Sequence, residues 1–133
     1  MRLRLLAGIV GFVVGATALP AFGHHSFAAV FDETRLMTLQ GTVSKVEWVN
    51  PHVYLYLDVA DASGKITTWT VETFPPVTLR RAGVTRDKLG LGQRVTLEGY
   101  APKDGSLTVL LRKMTFANGQ ELLIALGDIN QLR

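Results

Sequence analysis

Leu36-Met37-Thr38-Leu39-Gln40-Gly41-Thr42-Val43-Ser44-Lys45-Val46-Glu47-Trp48-Val49 reads as one long strand whose apolar positions change phase. Leu39, Gly41 and Val43 share one parity, Val46 and Trp48 the other. Successive side chains of a strand point to opposite faces, so a phase change marks a bulge or bend, and a bent strand can serve two sheets of one barrel.

Downstream, His52 to Val59 alternates without interruption, with Val53, Leu55, Leu57 and Val59 on one face and His52, Tyr54, Tyr56 and Asp58 on the other. The aliphatic face is expected in the core. Ser63-Gly64 turns the chain into a hairpin partner, Ile66 to Thr73, with Trp69 and Val71 on one face and Thr68, Thr70 and Glu72 on the other. Phe74-Pro75-Pro76 stops that strand. Val77 to Gly83 is the convincing helix, expected to turn Val77, Leu79 and Ala82 inward, and Thr85 is placed to cap a further turn through Lys88-Leu89. Gly90-Leu91-Gly92 returns the chain to strand at Gln93 to Ala101, with Val95, Leu97 and Gly99 inward. Turns at Lys103-Asp104-Gly105 and Asn118-Gly119 lead into strands Leu107 to Phe116 and Glu121 to Ala125. Strands, a short helix after the third, then more strands is the order of a mainly β, oligonucleotide/oligosaccharide-binding (OB) type Greek-key barrel, with a small β-sandwich as the alternative. The barrel is assigned to residues 36–126, with an N-terminal arm at 24–35 and a C-terminal tail at 127–133.

Upstream, Met1-Arg2-Leu3-Arg4 is a short positive segment, and Leu5 to Leu19 is apolar apart from glycine and Thr17. Residues 1–23 thus have the form of a cleavable signal peptide, which implies a periplasmic or secreted protein with no membrane span after cleavage. The apolar run is short beside the roughly 20 residues that a bilayer span needs. Two cleavage sites qualify: after Ala16-Thr17-Ala18, before Leu19, and after Ala21-Phe22-Gly23, before His24. Pro20 favours the second, because it ends the apolar helix ahead of the cut.

Removing Arg2 and Arg4 with the leader leaves 12 of the 14 basic residues against 11 acidic ones, a net charge of +1. A duplex-binding surface needs clustered cations that displace counterions from many phosphates. Only Arg80, Arg81, Arg86 and Lys88 cluster, and a solvated helix end accounts for them, so nucleic acid is not an expected partner. There is no cysteine, which excludes a disulfide framework, a thiolate metal site and a cysteine nucleophile. Any metal must be held by nitrogen and oxygen.

Four stretches then carry a resemblance: His24-His25-Ser26-Phe27-Ala28-Ala29, Trp48-Val49-Asn50-Pro51-His52, Leu79-Arg80-Arg81-Ala82-Gly83 and Gly99-Tyr100-Ala101-Pro102-Lys103-Asp104-Gly105. In these the chain resembles a family of small exported bacterial proteins of unknown function. It departs at Val84, where a tryptophan is expected. The resemblance implies export and one compact β domain, and it supplies no catalytic residue.

All three histidines fall in these stretches. If cleavage precedes His24, its α-amine and imidazole can chelate one metal ion, and His25 or His52 can complete a three-nitrogen set, a donor set that suits copper. The bland reading is an exposed arm left by processing and a histidine that hydrogen-bonds at a strand entrance. A second candidate is the polar face of Tyr54, Tyr56, Thr70 and Glu72, which could serve a metal-independent adaptor binding a peptide, a glycan or an envelope protein. Cross-strand stabilisation explains the same residues without a small ligand or partner. Trp48 and Trp69 share parity with valines and are expected in the core. Glu47 and Glu72 are the sole candidates for a carboxylate pair, and no serine lies in a nucleophile-elbow context. An enzyme is therefore the third reading, resting only on the redox chemistry open to copper held by histidines.

Overall fold

The structure, a computed structural model, describes residues 27–123 of the 133-residue chain. A four-residue helix α1 (Phe27–Val30) leads into the strands β1 (Phe31–Trp48), β2 (Val53–Ala60) and β3 (Ile66–Glu72). Helix α2 (Pro76–Arg81) follows, and then β4 (Arg94–Pro102), β5 (Thr108–Phe116) and β6 (Glu121–Leu123). The strands order as β3-β2-β1-β4-β5-β6, and a parallel β3–β5 pairing at Thr70↔Thr108 and Glu72↔Leu110 closes the sheet on itself. All the other pairings are antiparallel. A five-stranded closed barrel with a helix between β3 and β4 is the OB-type Greek key.

The bent first strand makes closure possible. β1 pairs with β4 from Phe31 to Thr42 and with β2 from Thr42 to Trp48, with a register shift between Val43 and Lys45 at the handover. The sequence's phase change is this bulge. At the crossing Gly41 has no room for a side chain, since a Cβ there would lie 2.4 Å from the Asp58 carbonyl oxygen. Gly99, beside a second register shift in β4, meets the Leu110 carbonyl oxygen at the same 2.4 Å. Backbones approach this closely only where glycine stands.

Inside lie Val43, Val53, Leu55, Leu57, Val71, Leu97, Val109, Leu111 and Met114, all but shut off from solvent, with Phe74, Leu79, Val84 and Leu89 covering one end. Three sequence expectations change. Val77 and Ala82 are exposed, because a six-residue helix turns only Leu79 inward, and Val84 and Leu89 beyond it do the rest of the covering. Trp48 and Trp69 are half-buried at the margin of the core. Residues Phe31 to Arg35, read as arm, belong to β1, where Phe31 is buried against Tyr100 and Leu110 with Phe27 packed on them. The signal peptide, His24, His25 and the C-terminal tail lie outside the described residues. Among the described residues no helix is long and apolar enough to cross a membrane.

Candidate functional site: the outer face of β2 and the entry of the chain

With Val53, Leu55 and Leu57 committed to the core, the pleat of β2 turns His52, Tyr54, Tyr56 and Asp58 outward. Register then sets their neighbours: Tyr54 lies between Glu47 and Glu72, Tyr56 between Lys45 and Thr70, Asp58 between Thr42 and Thr68. Lys45, Glu47, Tyr56 and Asp58 find partners within this face. Tyr56 Oη donates to Glu47 Oε2 at 3.0 Å, Lys45 pairs with Glu47 and lies 4.8 Å over the Tyr56 ring, and Asp58 Oδ1 accepts from Thr68 and Ser44 at 2.7 and 3.1 Å. The hydrogen bond from Lys45, then that from Tyr56, holds the Glu47 carboxyl below the usual carboxylate range. Donation to Glu47 raises the Tyr56 hydroxyl, and burial followed by the nearby Glu72 raises Tyr54.

His52 is the most constrained of these side chains. Its Nδ1 lies 2.5 Å from Glu72 Oε1, both side chains being about one-fifth exposed. Phe27 stacks on its ring, with centroids 5.4 Å apart and planes 26° apart, and Tyr54 meets it edge-on at 6.4 Å. With Nδ1 turned to the carboxylate, Nε2 is the ring nitrogen left to bind, the arrangement that orients histidine ligands in metal sites. Glu72 is held in place by its neighbour Thr73, buried, whose N–H and Oγ1 both donate to the Val53 carbonyl oxygen at 3.0 and 2.7 Å.

Phe27 reaches His52 because the start of the domain is clamped. Lys103 Nζ donates to the Ala28 carbonyl at 2.5 Å, the Lys103 N–H to Val30 at 2.9 Å, and Arg35 to the Pro102 carbonyl at 2.7 Å. Three of the four distinctive stretches, far apart in sequence, therefore meet at one place. His52, Tyr54, Tyr56, Thr70 and Glu72 share the expected face; Glu47 and Glu72 do not pair, since β2 lies between their strands and each has its own partner. Among the described residues no three metal-ligating side chains cluster. Sequence reasoning missed Phe27 and Lys103, and the signal for Phe27 was its place two residues after the histidine pair.

The cations collect elsewhere. Among the described residues Arg80, Arg81, Arg86, Lys88 and Arg94 form no salt bridge, and Arg86 lies 5.1 Å over the Trp48 ring.

Fold and site together define a small OB-type barrel with a histidine set into its polar outer face. The chain belongs to a family of unknown function, DUF6152, whose model matches residues 12–112. No curated protein matches it. Among solved structures it is similar to Rim1, a mitochondrial single-stranded DNA-binding protein of S. cerevisiae, at 10% identity and a TM-score of 0.49 over 62% of this chain and 93% of that one. It is also similar to the N-terminal domain of PriB from Thermoanaerobacter tencongensis, at 22% identity and a TM-score of 0.49 over 64% and 98%. Rim1 is a single-stranded DNA-binding protein, which stands against the expectation that nucleic acid is not a partner. That expectation weighed net charge against a duplex, and it set the cluster of Arg80, Arg81, Arg86 and Lys88 aside as a solvated helix end. Single strands are held by a local groove and by stacking rather than by a broadly basic face.

Proposed function

We propose that the protein is an exported, periplasmic or secreted binding module that holds copper between its mature N-terminus and His52. The observation that carries this reading is the stacking of Phe27 on His52 with Glu72 on Nδ1. Chain geometry limits His25 to within ~7 Å of Phe27 and His24 to within ~11 Å, Cα to Cα, at about 3.6 Å per residue. The α-amine and imidazole of His24, with His25 and the Nε2 of His52, would make a nitrogen set suited to Cu(II). The geometry favours this over a metal-independent adaptor, because Tyr56 already spends its hydroxyl on Glu47 and its ring face on Lys45.

Intact-mass measurement of the exported protein followed by Cu(II) titration tests the reading. The expected outcome is a chain beginning at His24, and a His52→Ala variant that binds at least tenfold more weakly. A mature chain beginning at Leu19, or unchanged affinity in His52→Ala, would overturn it.

A further inference from the structure

Away from His52, a cleft of about 340 Å³ opens between the loop joining α2 to β4 and the β5–β6 hairpin. We propose that it binds a nucleotide unit, a phosphate carried on a flat ring that bears an amine.

Both walls are fixed. On one side the backbone of Gln93 is pinned to β1, where the Val43 N–H donates to its carbonyl at 2.9 Å and the Gly92 N–H donates to the Val43 carbonyl at 2.8 Å. On the other, the Phe116 N–H donates to Gln120 and the Gly119 N–H to Phe116, each at 2.9 Å, and Asn118 Oδ1 accepts the Gln120 N–H at 3.0 Å. A cleft of this size, set between braced segments, falls within the range of small-ligand sites.

Three features of the lining select the ligand. Lys88 and Arg94 both face the cleft, and neither has a carboxylate within salt-bridge distance among the described residues, so the site offers two cations to an anion. Phe116 is half-buried and lines the cleft, an aromatic residue on which a flat ring can stack. Gln93 Oε1 is buried with no hydrogen-bond donor, and Asp87 adds a second acceptor to the same lining. Buried acceptors without donors are rare in folded proteins, and an amine on the ligand satisfies this one. Phosphate, flat ring and amine together describe an adenine, cytosine or guanine nucleotide. The cleft shares Arg94, Phe116 and Ala117 with a neighbouring groove of about 430 Å³ that runs over Gln40, Thr96 and Thr115, so successive units of a single strand have a path.

This site is independent of the histidine site, and the experiment uses the full chain without added metal. Calorimetric titration with adenosine monophosphate, a six-residue oligodeoxyadenylate, adenosine and inorganic phosphate separates the contributions. Binding of the nucleotide or the oligonucleotide is expected to exceed that of adenosine or phosphate alone, with the log affinity of the oligonucleotide falling linearly with the logarithm of salt concentration. The stronger of the two identifies a free nucleotide or a strand as the source. Arg94→Glu is expected to weaken binding at least tenfold, while Arg86→Glu, the same charge change outside the cleft, leaves it within twofold. Gln93→Leu, which removes the acceptor, is expected to lower the preference for adenosine monophosphate over inosine monophosphate. No binding of either nucleotide form at millimolar concentration, or equal losses in Arg94→Glu and Arg86→Glu, would overturn the proposal.

Discussion

The outer face of β1, β2 and β3 and the surface around α2 and the start of β4 use charge in opposite ways. On the first, Lys45, Glu47, His52, Asp58 and Glu72 are all engaged with one another or with Tyr56, Ser44 and Thr68. On the second, Arg80, Arg81, Arg86, Lys88 and Arg94 have no carboxylate partner among the described residues. Partnered groups are held in one geometry and prepared to orient a ligand atom, whereas unpartnered cations repel one another and remain available to an outside anion. A net charge near zero over residues 24–133 hides both.

The comparison breaks most readily at Glu72. Its carboxylate and His52 are each about four-fifths buried, so Glu72→Ala strands a polar ring beneath Phe27. Losing one partner of a largely buried polar contact costs about 1 to 3 kcal/mol. Urea denaturation of the variant should show a lowered midpoint at unchanged slope, and Glu72→Gln, which keeps an acceptor, should recover part of the loss. A midpoint equal to that of the unaltered protein would show that the pair is not held as the geometry has it.

A smaller effect of opposite sign is expected at the other region. Replacing exposed Arg80 and Arg81 by glutamine removes repulsion and no contact, so stability should rise by no more than about 0.5 kcal/mol at low salt. The gain should vanish near 1 M salt, where screening acts within about 3 Å. A loss of stability instead would mean that these arginines have partners, and the contrast between the two surfaces would fail.

How much of this the sequence revealed depends on what each feature needs. The alternation of β2 and the phase change of β1 are local patterns, and both were legible, as was the OB-type order of elements. The first residues of β1 were not, because Asp32 Oδ1 accepts from Thr34 N–H and Oγ1 at 3.0 and 2.7 Å, and the register shift from Asp32 to Leu36 leaves Glu33, Thr34 and Arg35 exposed with no alternation to read. His52 and Glu72 were assigned to one polar face, but their contact depends on the register of β2 with β3 and on Thr73, which pattern alone does not fix. The contact of Phe27 with His52 depends on Lys103 holding the entry of the chain, 75 residues from Ala28, so no local signal could announce it.

The finest test of a partnered surface is titration. Glu47 lies lower than an ordinary carboxylate because Lys45 and then Tyr56 donate to it, so its folded-state pKa is depressed. Such a group adds stability above its unfolded pKa, and that stability is lost as pH falls through the folded value. Tyr56 is the mirror case: its hydroxyl is raised by donating to Glu47, so its contribution is complete below about 10 and is lost as pH rises through the folded value. The hydrogen bond from Tyr56 to Glu47 leads the shift of Tyr56 and comes second, after Lys45, in that of Glu47. Glu47→Gln should therefore bring the ionisation of Tyr56, followed by absorbance near 295 nm, down toward the ordinary tyrosine value, with only a slight change in stability at neutral pH. Arg86→Gln should leave that titration where it was, since Arg86 is stacked on Trp48 and touches no partner of Tyr56. If the two variants moved the tyrosine curve equally, general charge rather than pairing would govern both surfaces, and the distinction between them would reduce to net field.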